Sequence, residues 1–256
     1  MRYPNGLFGW ADLMTRDPGR AIEFYEGLFG WTHVDQPTPM GPPYTQFFKD
    51  GQLVCGLSPM MPGVPEEVGA FWTSYVLVED ADATAAAAEA AGGTVSMPPM
   101  DVMDQGRMAM LADPTGAAVG LWQPAAHQGA DIFNAPGSMT WNELQTRDIE
   151  AALPFYETVF GWEWDDGPNP GYYVANIAAK EGDDKSNAGA MTTPPGVPDE
   201  APNVWMVYFA VEDCDTSMAA AEGLGGEVFL PAMEMGPGKF GGLIDPTGGM
   251  FLLGSF

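Results

Sequence analysis

The sequence predicts an α+β fold built from four copies of one unit, a strand followed by a helix and three further strands. Two observations carry this prediction. The first is a duplication: the stretch that begins at Trp10 recurs 131 residues later from Trp141, with small changes of offset in loops. The second is the pattern within each copy, where the residue alternation typical of a strand changes twice to helical spacing.

The first helix of each copy has clear sequence signals at its ends. Asp17 is a good N-cap, Pro18 suits the first helical position, and Gly30 ends the run. In the second copy, Pro154 lies inside the corresponding helix, which predicts a bend or a late helix start there. Three strands are expected after the first helix, near residues 31–36, 44–50 and 52–58.

The second unit of each copy repeats this order. An Ala-rich helix is expected over residues 81–91, because Ala is the best helix former and Gly92 and Gly93 stop it. A type I turn with Pro in its second place and Gly in its fourth joins the last two strands, Asp-Pro-Thr-Gly from Asp113 and again from Asp245. The strands of this unit are expected near residues 94–97, 106–112 and 117–123.

This organisation predicts two domains, residues 1–124 and 138–256, joined by a linker over residues 125–137. Ala, Gly and a proline are scattered through this linker, which has no regular periodicity. The two cysteines, Cys55 and Cys214, occupy positions that do not correspond between the copies, so neither a structural disulfide nor a cysteine metal site is expected.

Composition excludes several kinds of partner. The chain has 35 acidic and 9 basic residues, a formal net charge of -26, which repels phosphate backbones and anionic lipid surfaces. No apolar run approaches the length of a membrane span, and the first residues contain no apolar signal core. We therefore expect a cytoplasmic protein without nucleic-acid or membrane partners, present as a monomer or weak homodimer.

Three motifs together point to a family. They are Phe-Tyr-x3-Phe-Gly-Trp after the first helix, Val-x-Asp-x-Asp before the second, and Asp-Pro-Thr-Gly in the last hairpin. A βαβββ unit used four times with these motifs resembles the vicinal oxygen chelate superfamily, which includes glyoxalase I, extradiol dioxygenases and bleomycin-resistance proteins. The resemblance implies two tandem open-barrel, glyoxalase-like domains, each curved around a cavity that holds a divalent metal in the enzymes.

The same resemblance argues against a metal in this chain. The places that hold His, Glu or Gln ligands in the family correspond here to residues without imidazole or carboxylate donors, which are Trp10, Trp141, Thr73, Met206, Gly120 and Leu252. The two histidines, His33 and His127, are expected to have surface or structural roles. The sequence therefore predicts no metal and no cofactor.

The strand phase places an aromatic set with one carboxylate per copy on the former ligand face. We predict that ligand-binding side chains come from this set, with Arg107 available to an anionic ligand group; the alternatives are that Trp and Met fill the core and that Arg107 forms a surface ion pair. The predicted ligand-binding residues of the set are Trp10, Met14, Trp122, Trp141, Gln145 and Met206.

The carboxylates, Asp12 and Glu143, are the predicted functional centres. A buried Asp or Glu destabilises the fold by several kcal/mol unless it is paired or hydrogen-bonded. Each therefore has two open interpretations, a functional group or a hydrogen-bonded partner of a tyrosine hydroxyl or of the backbone.

Two classes of function fit these residues. The first is metal-independent binding of an aromatic or polycyclic small molecule, in resistance, sequestration or secondary metabolism, as in the bleomycin-resistance branch. The alternative is a metal-free lyase, isomerase or hydrolase in which Asp12 or Glu143 is the general base and Tyr75 or Tyr208 the acid. In a third interpretation, one copy only supports the other structurally.

Overall fold

The computed structural model describes residues 2–256 apart from positions 40, 183 and 237. Each copy has the order strand, helix, four strands, helix, three strands, which is the predicted unit used twice. The elements of the first copy are β1 (Phe8–Thr15), α1 (Pro18–Phe29), β2 (Thr32–Gln36), β3 (Tyr44–Lys49), β4 (Gln52–Pro59), β5 (Phe71–Leu77), α2 (Ala81–Ala90), β6 (Thr94–Val102), β7 (Gly106–Ala112) and β8 (Ala118–Pro124).

The second copy repeats this order after the connection formed by residues 125–138. Its elements are β9 (Met139–Thr146), α3 (Ile149–Phe160), β10 (Glu163–Asp166), β11 (Tyr172–Asn176), β12 (Ser186–Thr192), β13 (Val204–Ala210), α4 (Cys214–Gly223), β14 (Glu227–Met235), β15 (Gly238–Ile244) and β16 (Met250–Ser255).

Each copy forms one eight-stranded sheet. The strand order is β2-β3-β4-β1-β5-β8-β7-β6 in the first sheet and β10-β11-β12-β9-β13-β16-β15-β14 in the second. Within each βαβββ unit, the first strand pairs in parallel with the last strand, and the other neighbouring strands pair antiparallel. In the part of the chain that the structure describes, the two outer strands of each sheet do not pair with each other, so both sheets are open. The predicted α+β class and the fourfold unit are confirmed.

The helix ends follow the sequence signals. In α1 the Asp17 side chain accepts a hydrogen bond from the Arg20 amide at 3.1 Å, and Gly30 ends the helix in the left-handed conformation with φ 65°. The late start expected from Pro154 does not occur, since α3 begins directly after its cap, Asp148. Pro154 lies on the exposed side of this helix. No helix among the described residues is both long enough and apolar enough to cross a membrane.

Contacts divide the chain into two compact units, and each unit combines parts of both copies. Unit 1 contains Met1–Trp10, Ser74–Gly129 and Trp141–Met206, and unit 2 contains Ala11–Thr73, Ala130–Thr140 and Val207–Phe256. Each unit has its own hydrophobic core of buried aromatic and aliphatic side chains. Helices from different copies pack together in each core, α2 with α3 in unit 1 and α1 with α4 in unit 2.

Two motifs that identified the repeat meet in each core. In unit 2 the Tyr25 hydroxyl donates a 2.7 Å hydrogen bond to Asp245 and accepts one from the Trp72 indole at 3.0 Å. In unit 1 Tyr156 donates to Asp113 at 2.9 Å in the same way. Both tyrosines are completely buried, and this burial, reinforced by the neighbouring aspartate, raises the pKa of each phenol well above its usual value.

Candidate functional site

The two predicted carboxylates lie on matching central strands. Asp12 on β1 faces Gly56 of β4 in the parallel register, and Glu143 on β9 faces Gly189 of β12. Both side chains are buried, with only 8% of Asp12 and 3% of Glu143 exposed. Because a buried carboxylate needs hydrogen-bond donors, the partners of these two residues define the candidate site.

In the second copy a chain of hydrogen bonds surrounds Glu143. The Trp141 indole nitrogen donates to the Tyr172 oxygen at 2.9 Å, and the Tyr172 hydroxyl in turn donates to the Glu143 carboxylate. The Gln145 amide donates to Glu143 Oε1 at 3.1 Å. These four residues are called the second-copy cluster below. Trp141, Tyr172 and Gln145 are only partly buried, so the cluster has both an enclosed carboxylate and accessible aromatic surface.

Burial and the Glu143 charge both act on Tyr172. Burial is the larger cause, and together they raise the pKa of this phenol far above its usual value. The Tyr172 hydroxyl therefore keeps its proton at neutral pH and acts as a hydrogen-bond donor towards Glu143. Its oxygen remains an acceptor for the Trp141 indole.

Gly189 is required for this geometry. A Cβ atom at this position would overlap the Tyr172 hydroxyl and would lie 2.8 Å from the Trp141 indole nitrogen. The glycine thus lets the phenol lie directly on the strand between the indole and the carboxylate.

The first copy has a matching cluster with different chemistry. The Tyr44 hydroxyl donates to Asp12 at 3.2 Å, and a Cβ atom at Gly56 would overlap that hydroxyl. Here Met14 occupies the position of the second copy's Gln145, so a thioether replaces an amide. These residues, Asp12, Met14 and Tyr44, are called the first-copy cluster.

Tyr44 and Tyr172 were missed in the sequence. The tyrosines predicted beside these carboxylates were Tyr75 and Tyr208, in the role of the acid, because they lie on the expected ligand face. The overlooked signal was a glycine in the middle of a strand, Gly56 and again Gly189, with a tyrosine opening the preceding strand in both copies.

The predicted aromatic residues of the first copy are enclosed by the chain itself. Trp10 is 3% and Trp122 6% exposed, and the His127 ring lies against both of them. The Trp122 indole donates to the His127 carbonyl oxygen at 2.9 Å. Tyr75 is also buried, with its ring over Gly120.

The remaining predicted residues lie in three different surroundings. In the second copy Met206 is buried in unit 1, whereas Tyr208 is buried in unit 2, where its ring meets Phe240 edge-on at 6.0 Å. Arg107 donates to Asp82 at 2.7 and 2.9 Å and to Asp101 at 2.8 Å. Its hydrogen bonds to Asp82 lower the pKa of that carboxyl. The guanidinium group is therefore engaged in surface ion pairs.

The residues at the family's metal positions do not fit a metal. Those positions hold indole, thioether, hydroxyl, aliphatic side chains or glycine, which lack the donors that divalent ions require. Within the described ranges, no three His, Cys, Asp or Glu side chains cluster closely enough to hold an ion. His33 is 2.8 Å from Glu26 on the surface, in an ordinary helix-to-strand contact.

Comparisons with known proteins match each of the two copies to a family profile. The profile of the Glyoxalase/Bleomycin resistance protein/Dioxygenase superfamily matches residues 7–121, and the profile of the Glyoxalase-like domain matches residues 141–253. The protein CFP32 of Mycobacterium tuberculosis (strain CDC 1551 / Oshkosh), whose name assigns it provisionally to the glyoxylases, is 41% identical over 255 residues, covering 97% of this chain and 94% of CFP32.

One further relative and one solved structure are informative. The anthracycline biosynthesis protein DnrV of Streptomyces peucetius is 37% identical over 261 residues, covering 98% of this chain and 93% of DnrV. The Mn(II)-bound glyoxalase from Novosphingobium aromaticivorans superimposes with a TM-score of 0.65 at 16% identity, covering 98% of this chain and 83% of that structure. At this identity the likeness concerns the fold alone.

Proposed function

We propose that this chain, which belongs to the glyoxalase/bleomycin resistance protein/dioxygenase superfamily, binds a planar aromatic or polycyclic small molecule. In this proposal the ligand is bound without a metal ion. The observation that supports this most directly is the second-copy cluster, in which an indole, a phenol and an amide surround one buried carboxylate. Such a cluster supplies an aromatic surface for stacking and an acceptor for a polar ligand group.

The energetics of the cluster suit a flat ligand. Stacking contributes roughly 0.5–1.5 kcal/mol per aromatic pair beyond the burial of apolar area. The fused rings of a polycyclic molecule also remove a large apolar area from water, at roughly 25 cal/mol per Å². Trp141 and Tyr172 are partly accessible and held by hydrogen bonds, so little side-chain entropy is lost when a ligand stacks on them.

The relatives support the ligand class. DnrV matches nearly the whole chain, and its name assigns it to anthracycline biosynthesis. The anthracycline ring system contains planar fused aromatic rings. We extend this ligand class, and not a particular reaction, to the present chain.

A metal-free lyase, isomerase or hydrolase is the second candidate. It requires Asp12 or Glu143 to take a proton from a bound substrate, and the burial of both carboxylates in contact with a tyrosine favours it. A tyrosine hydroxyl already occupies one acceptor position on each carboxylate. Binding needs only the aromatic surface and the acceptor, and it is therefore the function that we propose.

Fluorescence titration tests the binding proposal. Hydroxypyrene added to the full chain should quench tryptophan emission with a dissociation constant in the micromolar range, which corresponds to a binding free energy of about −8 kcal/mol. It should also raise the melting temperature. Treatment with EDTA should change neither result. Adamantanol, a saturated polycyclic alcohol without an aromatic face, is the control and should have no effect. If hydroxypyrene and other planar polycyclic compounds leave both signals unchanged, the proposal fails.

The substitution Glu143→Gln separates binding from catalysis. It keeps the shape of the side chain, so in a binding protein the affinity should change by no more than about tenfold, which is about 1.4 kcal/mol in binding free energy. In an enzyme that uses Glu143 as the base, turnover should fall by on the order of a hundredfold or more while binding is retained.

A further inference from the structure

We infer that the chain has a single ligand site, at the second-copy cluster, and that His127 from the connection between the copies closes the corresponding aromatic surface of the first copy. This inference rests on the proposed function and adds which copy binds and which ligand groups it accepts.

The connection after β8 is fixed over the aromatic residues of the first copy. The His127 ring meets Trp10 edge-on at a centroid distance of 4.4 Å and Trp122 at 5.3 Å. The Trp122 indole donates to the His127 carbonyl, and the His127 amide donates to Gln105 at 3.0 Å. Ring contacts on two sides and backbone hydrogen bonds in both directions hold this histidine in place.

A second contact brings the same segment close to β1. Gly129 is buried with φ 101°, and a Cβ atom there would lie 2.6 Å from the carbonyl oxygen of Gly9. Only glycine lets the backbone approach so closely in this conformation. The connection is therefore packed against the strand that carries Trp10.

As a consequence, two equivalent tryptophans differ in solvent exposure. Trp10 retains only 3% of its surface beneath His127, whereas Trp141, its counterpart, is partly exposed. A ligand could stack on Trp10 only after displacing the histidine and its hydrogen bonds. The position equivalent to Trp122 in the second copy is Gly254, which has no ring to hold such a segment.

The polar groups of the two clusters also differ. Both clusters contain a carboxylate, Asp12 or Glu143, but only the second copy adds an amide oxygen, that of Gln145, which accepts hydrogen bonds. Met14 in the first copy supplies only a weakly accepting sulfur. A ligand with a hydroxyl donor therefore suits the second-copy cluster, while an anionic ligand is repelled by Glu143 and by the net charge of -26. The ligand class is a neutral, hydroxylated planar aromatic molecule.

Calorimetric titration of the full chain with hydroxypyrene tests these points. We expect one molecule bound per chain. Pyrene, which lacks the hydroxyl donor, should bind about tenfold more weakly, and anionic pyrenesulfonate more weakly still. The matched substitutions Tyr172→Phe and Tyr44→Phe remove the same atom from the two copies. Tyr172→Phe should weaken binding about tenfold, and Tyr44→Phe should leave the affinity within about twofold.

Two further variants test the same inference. One gives a second test of the second-copy cluster, and the other tests whether His127 covers Trp10 and Trp122. Gln145→Met changes a partly buried residue to the one present in the first copy and should also weaken binding. His127→Ala should expose Trp10 and Trp122 and add a second, weaker site. Circular dichroism melting checks that each variant is folded.

The outcomes separate the two proposals. Two equal sites in the wild-type chain, or one site sensitive to Tyr44→Phe and insensitive to Tyr172→Phe, would overturn this inference and leave the proposed function intact. A single site in His127→Ala would overturn the closure by His127. Absence of binding by every planar probe would overturn the proposed function and, with it, this inference.

Discussion

The Tyr25 hydroxyl donates a 2.7 Å hydrogen bond to Asp245, a residue 220 positions further along the chain. Tyr25 belongs to the Phe-Tyr motif of the first copy, and Asp245 to the Asp-Pro-Thr-Gly turn of the second. The other carboxylate oxygen of Asp245 accepts the backbone amide of Thr247 at 2.6 Å inside that turn. One aspartate therefore both shapes a hairpin and ties it to a helix of the other copy.

Loss of this hydroxyl should destabilise the fold. Tyr25→Phe leaves a buried carboxylate oxygen without its donor, and the free energy of unfolding should fall by about 1–3 kcal/mol. Tyr156→Phe should have the same effect through Asp113. Urea unfolding measures both. Tyr173→Phe is the matched control, because among the described residues the Tyr173 hydroxyl has no hydrogen-bond partner; equal midpoints for all three variants would contradict the prediction.

Stability should decrease in alkaline solution. Burial raises the pKa of Tyr25 and Tyr156 in the folded state, so both states keep these protons below about pH 10, and above it only the unfolded state releases them. The free energy of unfolding should therefore fall by up to about 1.4 kcal/mol per pH unit for each tyrosine. Urea unfolding at a series of pH values from about 8 to 11 tests this.

The double variant Tyr25→Phe/Tyr156→Phe is the control for the alkaline series. It should lose the part of the pH dependence that comes from the two buried phenols. Identical slopes for the wild-type chain and the double variant would show that these groups do not titrate on unfolding.

Gly189→Ala should disrupt the second-copy cluster. The new methyl group would overlap the Tyr172 hydroxyl and push it away from Glu143. We expect hydroxypyrene affinity to fall by at least about tenfold, near 1.4 kcal/mol, together with a lower melting temperature. Gly223→Ala is the control, because open space surrounds Gly223 in α4 and alanine favours a helix by roughly 0.5–1 kcal/mol. Retained affinity in Gly189→Ala would refute the role of this glycine.

Two equivalent arginines should hold the proline-rich loops. Arg16 donates to the Val64 and Pro65 carbonyls at 3.0 and 2.6 Å, and Arg147 donates to the Pro198 and Ala201 carbonyls at 2.5 and 2.6 Å. Replacing either arginine by Met removes these charge-assisted bonds.

The expected result is faster cleavage of the freed loop. In limited proteolysis, Arg16→Met should be cut sooner near residues 61–68 and Arg147→Met sooner near residues 194–201, each variant serving as the control for the other loop. Unchanged cleavage in both variants would mean that loop order does not depend on these hydrogen bonds.

Much of the architecture was determined by local sequence pattern. Strand alternation and helix caps such as Asp17 and Gly30 act over a few residues, and the structure has the expected elements with closely matching bounds. The exception is β6, which was expected near residues 94–97 and extends from Thr94 to Val102. Alternation also identified Asp12 and Glu143, because the face of a strand on which a residue lies depends only on its own position. Both proved to be buried.

Only the tertiary structure decided which residues meet. Tyr172 reaches Glu143 because β11, β12 and β9 are neighbours in the sheet, and Tyr25 reaches Asp245 because parts of both copies share one core. The sequence placed His127 in the linker and did not indicate that its ring lies against Trp10 and Trp122. Periodicity reports the environment of one residue, whereas these contacts depend on strand order, register and chain path, which no short stretch of sequence contains.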